Sequence, residues 1–339
     1  MKIGIVNDMP LAVEALRQAL SQDPLHQVIW TAQDGAQAIA LCARQRPDLI
    51  LMDLIMPNVN GVEATRQIMS NSPCPILIVT ASVGTHAGLV FEAMAGGALD
   101  AIDTPYLGTG DPRKSAAPLL RKIDGIEQRI SQDKAVRLED ENAAMLQSAR
   151  PAGLVAIGAS AGGPGALATV LAGLPKNFRA ALVIIQHIDE MFVNGMVEWL
   201  NQYSTIPVRL AREGDRLEAG LVLVAGASEH VIMKNPDQLG YTSEPGNNVY
   251  KPSIDVFFGS VCKHLDRNAV GILLTGMGAD GARGLKALRE KGHYTIAQDQ
   301  ATSTVYGMPK TAVALGAAVD VLPVQDIASK LASVFPTRN

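Results

Sequence analysis

Ser160 stands in the stretch AIGASAGG, directly after the apolar run LVAIG and before GPGALATVLAGL, whose apolar residues recur at helical spacing. The segment Gly158-Ala159-Ser160-Ala161-Gly162 fits G-x-S-x-G, the pattern of a sharp strand-to-helix turn that lifts a nucleophilic hydroxyl above a sheet. Small neighbours are needed because the turn leaves no room for side chains. The same turn aims free backbone N–H groups and the positive end of a helix dipole at whatever binds there. A glycine-rich turn of this kind can equally cradle a phosphate, with Ser160 only capping the helix.

A hydroxyl becomes a nucleophile when a base takes its proton. Of the six histidines, His187 ends the run ALVIIQH, at the carboxyl end of the next expected strand and on the same rim as Ser160. His26, His86, His264 and His293 fall in helix-end or turn contexts, where a solvated histidine is the default, and His230 begins the second strand of an expected hairpin. An acid to orient the base is offered on the same rim by GILLTGMGADGA, which carries Asp280 in a Gly-rich loop. In this reading Ser160 attacks a carbonyl, His187 takes its proton and returns it to the leaving group, and Asp280 holds the imidazole tautomer. Backbone N–H groups near Ala161 and in the TGMGADG loop, Met277 especially, would receive the oxyanion. The plainer alternative makes Asp280 a helix cap for GARGLKALRE and leaves His187 a strand-end residue without a partner. The order Ser, His, Asp along the chain is not the Ser, Asp, His order of α/β-hydrolases.

A second group of candidates lies near the start. Asn7-Asp8 ends the first expected strand and Asp53 the third. Two carboxylates at neighbouring strand ends can hold a hard divalent cation such as Mg2+, beside which a carboxylate can act as nucleophile toward a phosphoryl group. Taken singly, Asp8 could cap the next helix and Asp53 merely end its strand.

The elements that must position these groups are legible as an alternation. KIGIV, QVIW, DLILMD, PILIV and LDAID alternate with LAVEALRQAL, GAQAIALCARQ, GVEATRQIM, AGLVFEAMAGG and a helix near Ser115 to Gln128, which predicts a parallel sheet covered on both faces. SQDKAVRLEDENAAMLQSARP, from about Ser131 to Pro151, is charged and poor in large apolar residues, as a linker or exposed helix would be. Beyond it LVAIG, ALVIIQ, PVRLA, AVGILLTG and YTIAQD continue the alternation, with a hairpin expected between GLVLVAG and EHVIMK and a polar loop from Asn235 to Asn248.

With 339 residues the chain is long enough for two domains. Its 29 basic and 33 acidic residues, net charge −4, give no electrostatic reason to expect nucleic acid or an anionic membrane surface as partner. The opening MKIGIVNDMP lacks a signal-peptide pattern, and no run of about 18 apolar residues occurs, so a cytoplasmic protein without membrane insertion is expected. Cys42, Cys74 and Cys262 are scattered, form no C-x-x-C pair, and read as buried thiols.

Two resemblances cover the chain. DLILMDLIMPNVNG, Thr80 at the end of PILIVTAS and the proline in AIDTP together resemble the receiver domains of two-component response regulators. That likeness implies Asp53 as phospho-acceptor, Asp8, Asp53 and the Ile55 carbonyl as Mg2+ ligands, Thr80 as switch hydroxyl, and a chemosensory histidine kinase as phosphodonor. Receivers usually carry two acidic residues at the Asn7-Asp8 position, a lysine at Thr104 and an aromatic near Ala101, so altered phosphoryl lifetime or weaker coupling is expected here.

IGASAGG, QHI, YKPSIDVFF, LLTGMGADGA and VYGMPK resemble the catalytic domain of the CheB chemoreceptor methylesterases, although that family often has threonine where Ala161 stands. This implies an α/β chain of two doubly wound parallel-sheet domains: a (βα)5 receiver over residues 1–128, a linker over 129–151, and an α/β/α methylesterase domain with an inserted hairpin over 152–339. It implies hydrolysis of glutamate γ-methyl esters on methylated chemoreceptors, with glutamine deamidation at the same sites, no cofactor in the esterase domain, and relief by phosphorylation of a block imposed by the receiver. The departures in the receiver resemble the Wsp-type branch, whose outputs are other than motility. Against this stand a degenerate regulator that docks on receptors without hydrolysis, and a general esterase, which the 4% aromatic content disfavours because an acyl pocket needs apolar lining.

Overall fold

A computed structural model of the chain describes residues 1–105, 112–135, 153–226, 228–246, 248–265 and 269–336. They divide into two compact units, residues 1–130 and 131–339. Among the described residues no helix is long and apolar enough to cross a membrane.

The first unit alternates strictly: β1 (Lys2–Val6), α1 (Pro10–Leu20), β2 (Gln27–Ala32), α2 (Gly35–Arg44), β3 (Leu49–Met52), α3 (Gly61–Asn71), β4 (Ile76–Thr80), α4 (Ala87–Ala95), β5 (Asp100–Asp103) and α5 (Pro112–Ala135). All strands pair in parallel in the order β2-β1-β3-β4-β5. β3 and β4 are buried along their whole length, as continuous apolar runs covered by helices on both faces must be. Side-chain caps set two helix starts: Asp34 accepts from the Gln37 N–H ahead of α2, and Asn60 from the Glu63 N–H ahead of α3. Strand order reverses between β1 and β3, the crevice where open α/β sheets bind ligands, and Asp8 and Asp53 follow those two strands. α5 runs seven residues past Gln128, so the segment expected as a linker begins as helix; residues 136–152 lie outside the described residues.

The second unit holds β6 (Leu154–Ala159), α6 (Gly163–Ala172), β7 (Ala181–Gln186), α7 (Glu190–Tyr203), β8 (Val208–Leu210), β9 (Val222–Val224), β10 (His230–Asn235), β11 (Gln238–Thr242), α8 (Ile254–His264), β12 (Ala269–Leu273), α9 (Ala282–Glu290), β13 (Tyr294–Gln298), α10 (Met308–Ala314), β14 (Asp320–Leu322) and α11 (Val324–Val334). Seven parallel strands follow the order β14-β13-β12-β6-β7-β9-β8. β6 and β7 are wholly buried at its centre. Each fully buried Leu, Ile or Val there contributes about 1.5–3 kcal/mol. The switch point lies between β6 and β12.

The expected hairpin is corrected. The run GLVLVAG supplies β9, which pairs in parallel with β7 and β8, and the antiparallel partner of β10 is β11, inside the segment expected as a polar loop. The reason is visible in burial: Val222–Val224 is buried throughout, as a strand within a covered sheet must be, whereas His230–Asn235 alternates toward its end. Asn235-Pro236-Asp237 makes the turn, a combination that stops one strand and starts another. Three residue-level expectations also change. Cys262 is half-buried rather than buried. His293 is buried, its Nδ1 accepting the Ala269 N–H at 2.8 Å, and the His26 side chain is only 1% exposed.

Candidate active site

Ala159 and Gln186 are register partners at the ends of β6 and β7, so Ser160 and His187, the next residues, face one another across neighbouring parallel strands. Adjacent strands lie about 4.8 Å apart, which sets the scale of that approach. The His187 N–H donates to the Ala159 carbonyl at 3.0 Å, extending the ladder by one bond. Asp280 follows β12, on the other side of β6, in the loop that leads into α9. Ser160, His187 and Asp280 are all nearly buried, at 7%, 4% and 7% exposure.

His187 Nε2 lies 2.8 Å from Asp280 Oδ2. Asp280 also receives the Ser253 hydroxyl at 2.8 Å, the Ile254 N–H at 2.7 Å and the Asp255 N–H at 3.1 Å. Burial alone would raise the Asp280 carboxyl. The His187 hydrogen bond and charge, with the two amides, outweigh it and hold the group below the usual carboxylate range. Asp280 is therefore a fixed anion, and the ring nitrogen facing it carries the proton. Nδ1 of His187 is buried and makes no hydrogen bond, so it is the basic nitrogen. The ring lies flat on Tyr250, centroids 4.5 Å apart and planes 15° apart. The structure thus joins His187 to Asp280 directly and sets Ser160 opposite His187 on the adjoining strand end, with no hydrogen bond between the two side chains.

Ser160 sits where Thr275 and Gly276 come closest. Its N–H donates to the Thr275 carbonyl at 3.1 Å, and a Cβ on Gly276 would stand 2.7 Å from Ser160 Cβ and 2.4 Å from Met308 Sδ. Only glycine allows the β12–α9 loop to lie this close. Gly162, at φ 75°, lets the chain turn from β6 straight into α6. The Thr275 hydroxyl, 2.9 Å from the Ala161 carbonyl, turns that peptide so that its carbonyl points inward. The Ala161 amide follows Ser160 directly, and the Met277 amide follows Gly276, which lies against Ser160.

Several supporting residues were not singled out from the sequence. Ser253 caps α8 and binds Asp280 with the same hydroxyl. Its own N–H donates to His230 Nδ1 at 3.0 Å, in a site where burial lowers the His230 pKa. Gln186 is buried and its amide donates to the Ser160 carbonyl at 2.9 Å and the His187 carbonyl at 3.0 Å. A polar residue closing an otherwise apolar strand, as in ALVIIQ, was the one available signal.

In the first unit, burial pushes the Asp53 carboxyl above its ordinary value, against the Leu54 and Ile55 amides, and the charge of Asp8 adds to the rise. Asn7 Nδ2 donates to Asp53 Oδ2 at 3.0 Å. The Leu54 N–H reaches Oδ1 at 2.7 Å. Asp8 and Ile55 are exposed beside it. Thr80 is buried at the end of β4, its hydroxyl 3.2 Å from His86 Nδ1, and its carbonyl accepts the Thr104 N–H at 2.8 Å. His86 was thus not the solvated residue expected.

Residues 155–331 match the CheB methylesterase family, and residues 3–106 the response regulator receiver domain. A Pseudomonas putida protein described as protein-glutamate methylesterase/protein-glutamine glutaminase of group 3 operon is 55% identical over 335 residues, covering 99% of each chain. A Bordetella avium protein described as protein-glutamate methylesterase/protein-glutamine glutaminase 1 is 58% identical over 335 residues, covering 99% of this chain and 97% of the relative. The Thermotoga maritima CheB methylesterase catalytic domain superposes with a TM-score of 0.52 at 31% identity, covering 54% of this chain and 99% of that one.

Proposed function

Because the chain belongs to the CheB methylesterase family and carries a receiver domain ahead of its esterase domain, we propose that it hydrolyses glutamate γ-methyl esters on methylated chemoreceptors under the control of Asp53 phosphorylation. Glutamine deamidation at the same sites is a second activity of the same centre. The observation that carries the mechanism is the His187 Nε2–Asp280 Oδ2 hydrogen bond, which leaves Nδ1 bare on the rim that Ser160 shares.

Ser160 Oγ attacks the ester carbonyl as its proton passes to His187 Nδ1. This ring orientation is the reverse of that in the serine proteases, where Nε2 faces the serine. Asp280 stabilises the imidazolium that forms. The oxyanion is received by the Ala161 and Met277 amides. The proton then moves from Nδ1 to the departing methoxide, which leaves as methanol. Water, deprotonated by the same nitrogen, cleaves the acyl-enzyme to the free glutamate carboxylate and restores Ser160. With glutamine, ammonia leaves in place of methanol. A regulator that docks on receptors without hydrolysis is not favoured, since the relatives are named for the hydrolytic activities. Methanol release from methylated receptor is expected from the wild type and absent from Ser160→Ala; equal rates would overturn the assignment.

In the receiver, the donor set suits a hard cation: the Asp53 and Asp8 carboxylates are close enough for the charge of one to raise the pKa of the other. Asp8, Asp53 and the Ile55 carbonyl would hold Mg2+, which when bound neutralises phosphoryl charge. Asp53 accepts the phosphoryl group from a chemosensory histidine kinase, and Thr80 is the switch hydroxyl. Asn7 donates an amide where receivers usually place a carboxylate, and Thr104 brings no cation to the phosphoryl oxygens, so the lifetime of the phosphorylated state is altered. Incubation with a small-molecule phosphodonor and Mg2+ is expected to add one phosphoryl group, absent in Asp53→Ala.

A further inference from the structure

We infer that Asp23, His26 and Asp124 form a binding site for a divalent first-row transition-metal ion, with Zn2+ as the natural probe. One ligand atom from each residue, a carboxylate oxygen or an imidazole nitrogen, lies within 4.8 Å of the others. Asp23 and His26 belong to the loop between α1 and β2, and Asp124 to α5. That loop is at the amino-terminal edge of the sheet, where the Gln27 N–H donates to the Met1 carbonyl and the Met1 ammonium to the Leu25 carbonyl. Asp53 follows the carboxyl end of β3, so the cluster lies at the opposite pole from the phosphorylation site.

The imidazole of His26 provides the independent sign of a ligand. Its side chain is 1% exposed, and neither ring nitrogen makes a hydrogen bond. A neutral imidazole always presents one N–H and one lone pair, and burying both unmet is costly. The nearest carboxylate, Asp23 Oδ2, stands 3.9 Å from Nε2, beyond hydrogen-bond range. Asp23 Oδ1 meanwhile accepts the Leu25 N–H at 2.9 Å, which fixes the carboxylate with Oδ2 turned to the histidine. An ion about 2.0–2.2 Å from each ligand atom would satisfy the ring lone pair, requiring only small side-chain rotations. Two carboxylates neutralise its charge, and exposed Asp124 leaves a path of entry and a position for water. Imidazole with carboxylate selects Zn2+ or its transition-metal neighbours over Mg2+, which keeps to oxygen. Occupancy would fasten α5 to the loop ahead of β2.

The test is titration calorimetry of the full chain with Zn2+, after chelator treatment and in excess Mg2+, alongside Asp124→Asn and His26→Gln. One site is expected in the wild type, at least tenfold weaker in each variant, with a rise in Tm on Zn2+ addition that both variants lose. Asp124 is exposed, so its variant folds and keeps the test decisive if His26→Gln does not. Undiminished Zn2+ affinity in Asp124→Asn, absence of binding to the wild type, or displacement of Zn2+ by Mg2+ would each overturn the inference.

Discussion

Asp280 carries two loads, the His187 proton and the start of α8, and Ser253 serves both. Removing the Ser253 hydroxyl leaves the Ile254 and Asp255 amides on the carboxylate but takes from Oδ1 the shorter of its two hydrogen bonds. A hydrogen bond to a charged group contributes about 1.5–3 kcal/mol. Ser253→Ala is therefore expected to lower kcat about ten- to a hundredfold with little change in KM, checked by initial rates of methanol release. Asp255, two residues after Ser253, is pushed up to about 7 by burial and by the charge of Asp280. A carboxyl raised on folding gives stability that is present below its unfolded pKa and lost as pH climbs through the folded value. The contribution of Asp255 to stability should thus fall between about pH 4 and 8. Asp255→Asn, which keeps an oxygen for the Gly284 N–H, should lose less Tm than the wild type over that range. Parallel Tm curves would show that Asp255 does not titrate there.

The β12–α9 loop and the β6–α6 turn touch through Gly276. A methyl group there meets Ser160 Cβ and Met308 Sδ well inside contact distance, with one neighbour being backbone-anchored. Overpacking of this kind costs about 1–3 kcal/mol. Gly276→Ala should reduce Tm by several degrees and, by displacing the Met277 amide, lower kcat at least tenfold; unchanged kcat would remove Met277 from the oxyanion site. The elements bearing the site were legible because β6, β7 and β12 are apolar runs ending in Ser160, His187 and the Gly-rich loop before Asp280. β9 and β11 were misplaced for one reason: periodicity reports which residues are buried, while the partner of a short strand is chosen by the surfaces on either side of it.

The two units share one chain, and their link is open to a direct comparison. A fragment beginning near Pro151 is expected to release methanol faster than the full chain, and phosphorylation of Asp53 should bring the full chain toward the fragment. A fragment no faster than the intact protein would remove the case for inhibition by the receiver. Read alone, the residues determined the two α/β alternations, the switch-point carboxylates and the hydroxyl, imidazole and carboxylate at strand ends, because each leaves a local mark in apolar spacing or turn chemistry. Folding decided that Nε2 and not Nδ1 of His187 meets Asp280, that Ser253 and Gln186 brace the centre, and that His26 is buried against Asp23 and Asp124. Apart from the local pair Asp23 and His26, these depend on contacts between residues about 25 to 100 positions apart, which no local pattern encodes.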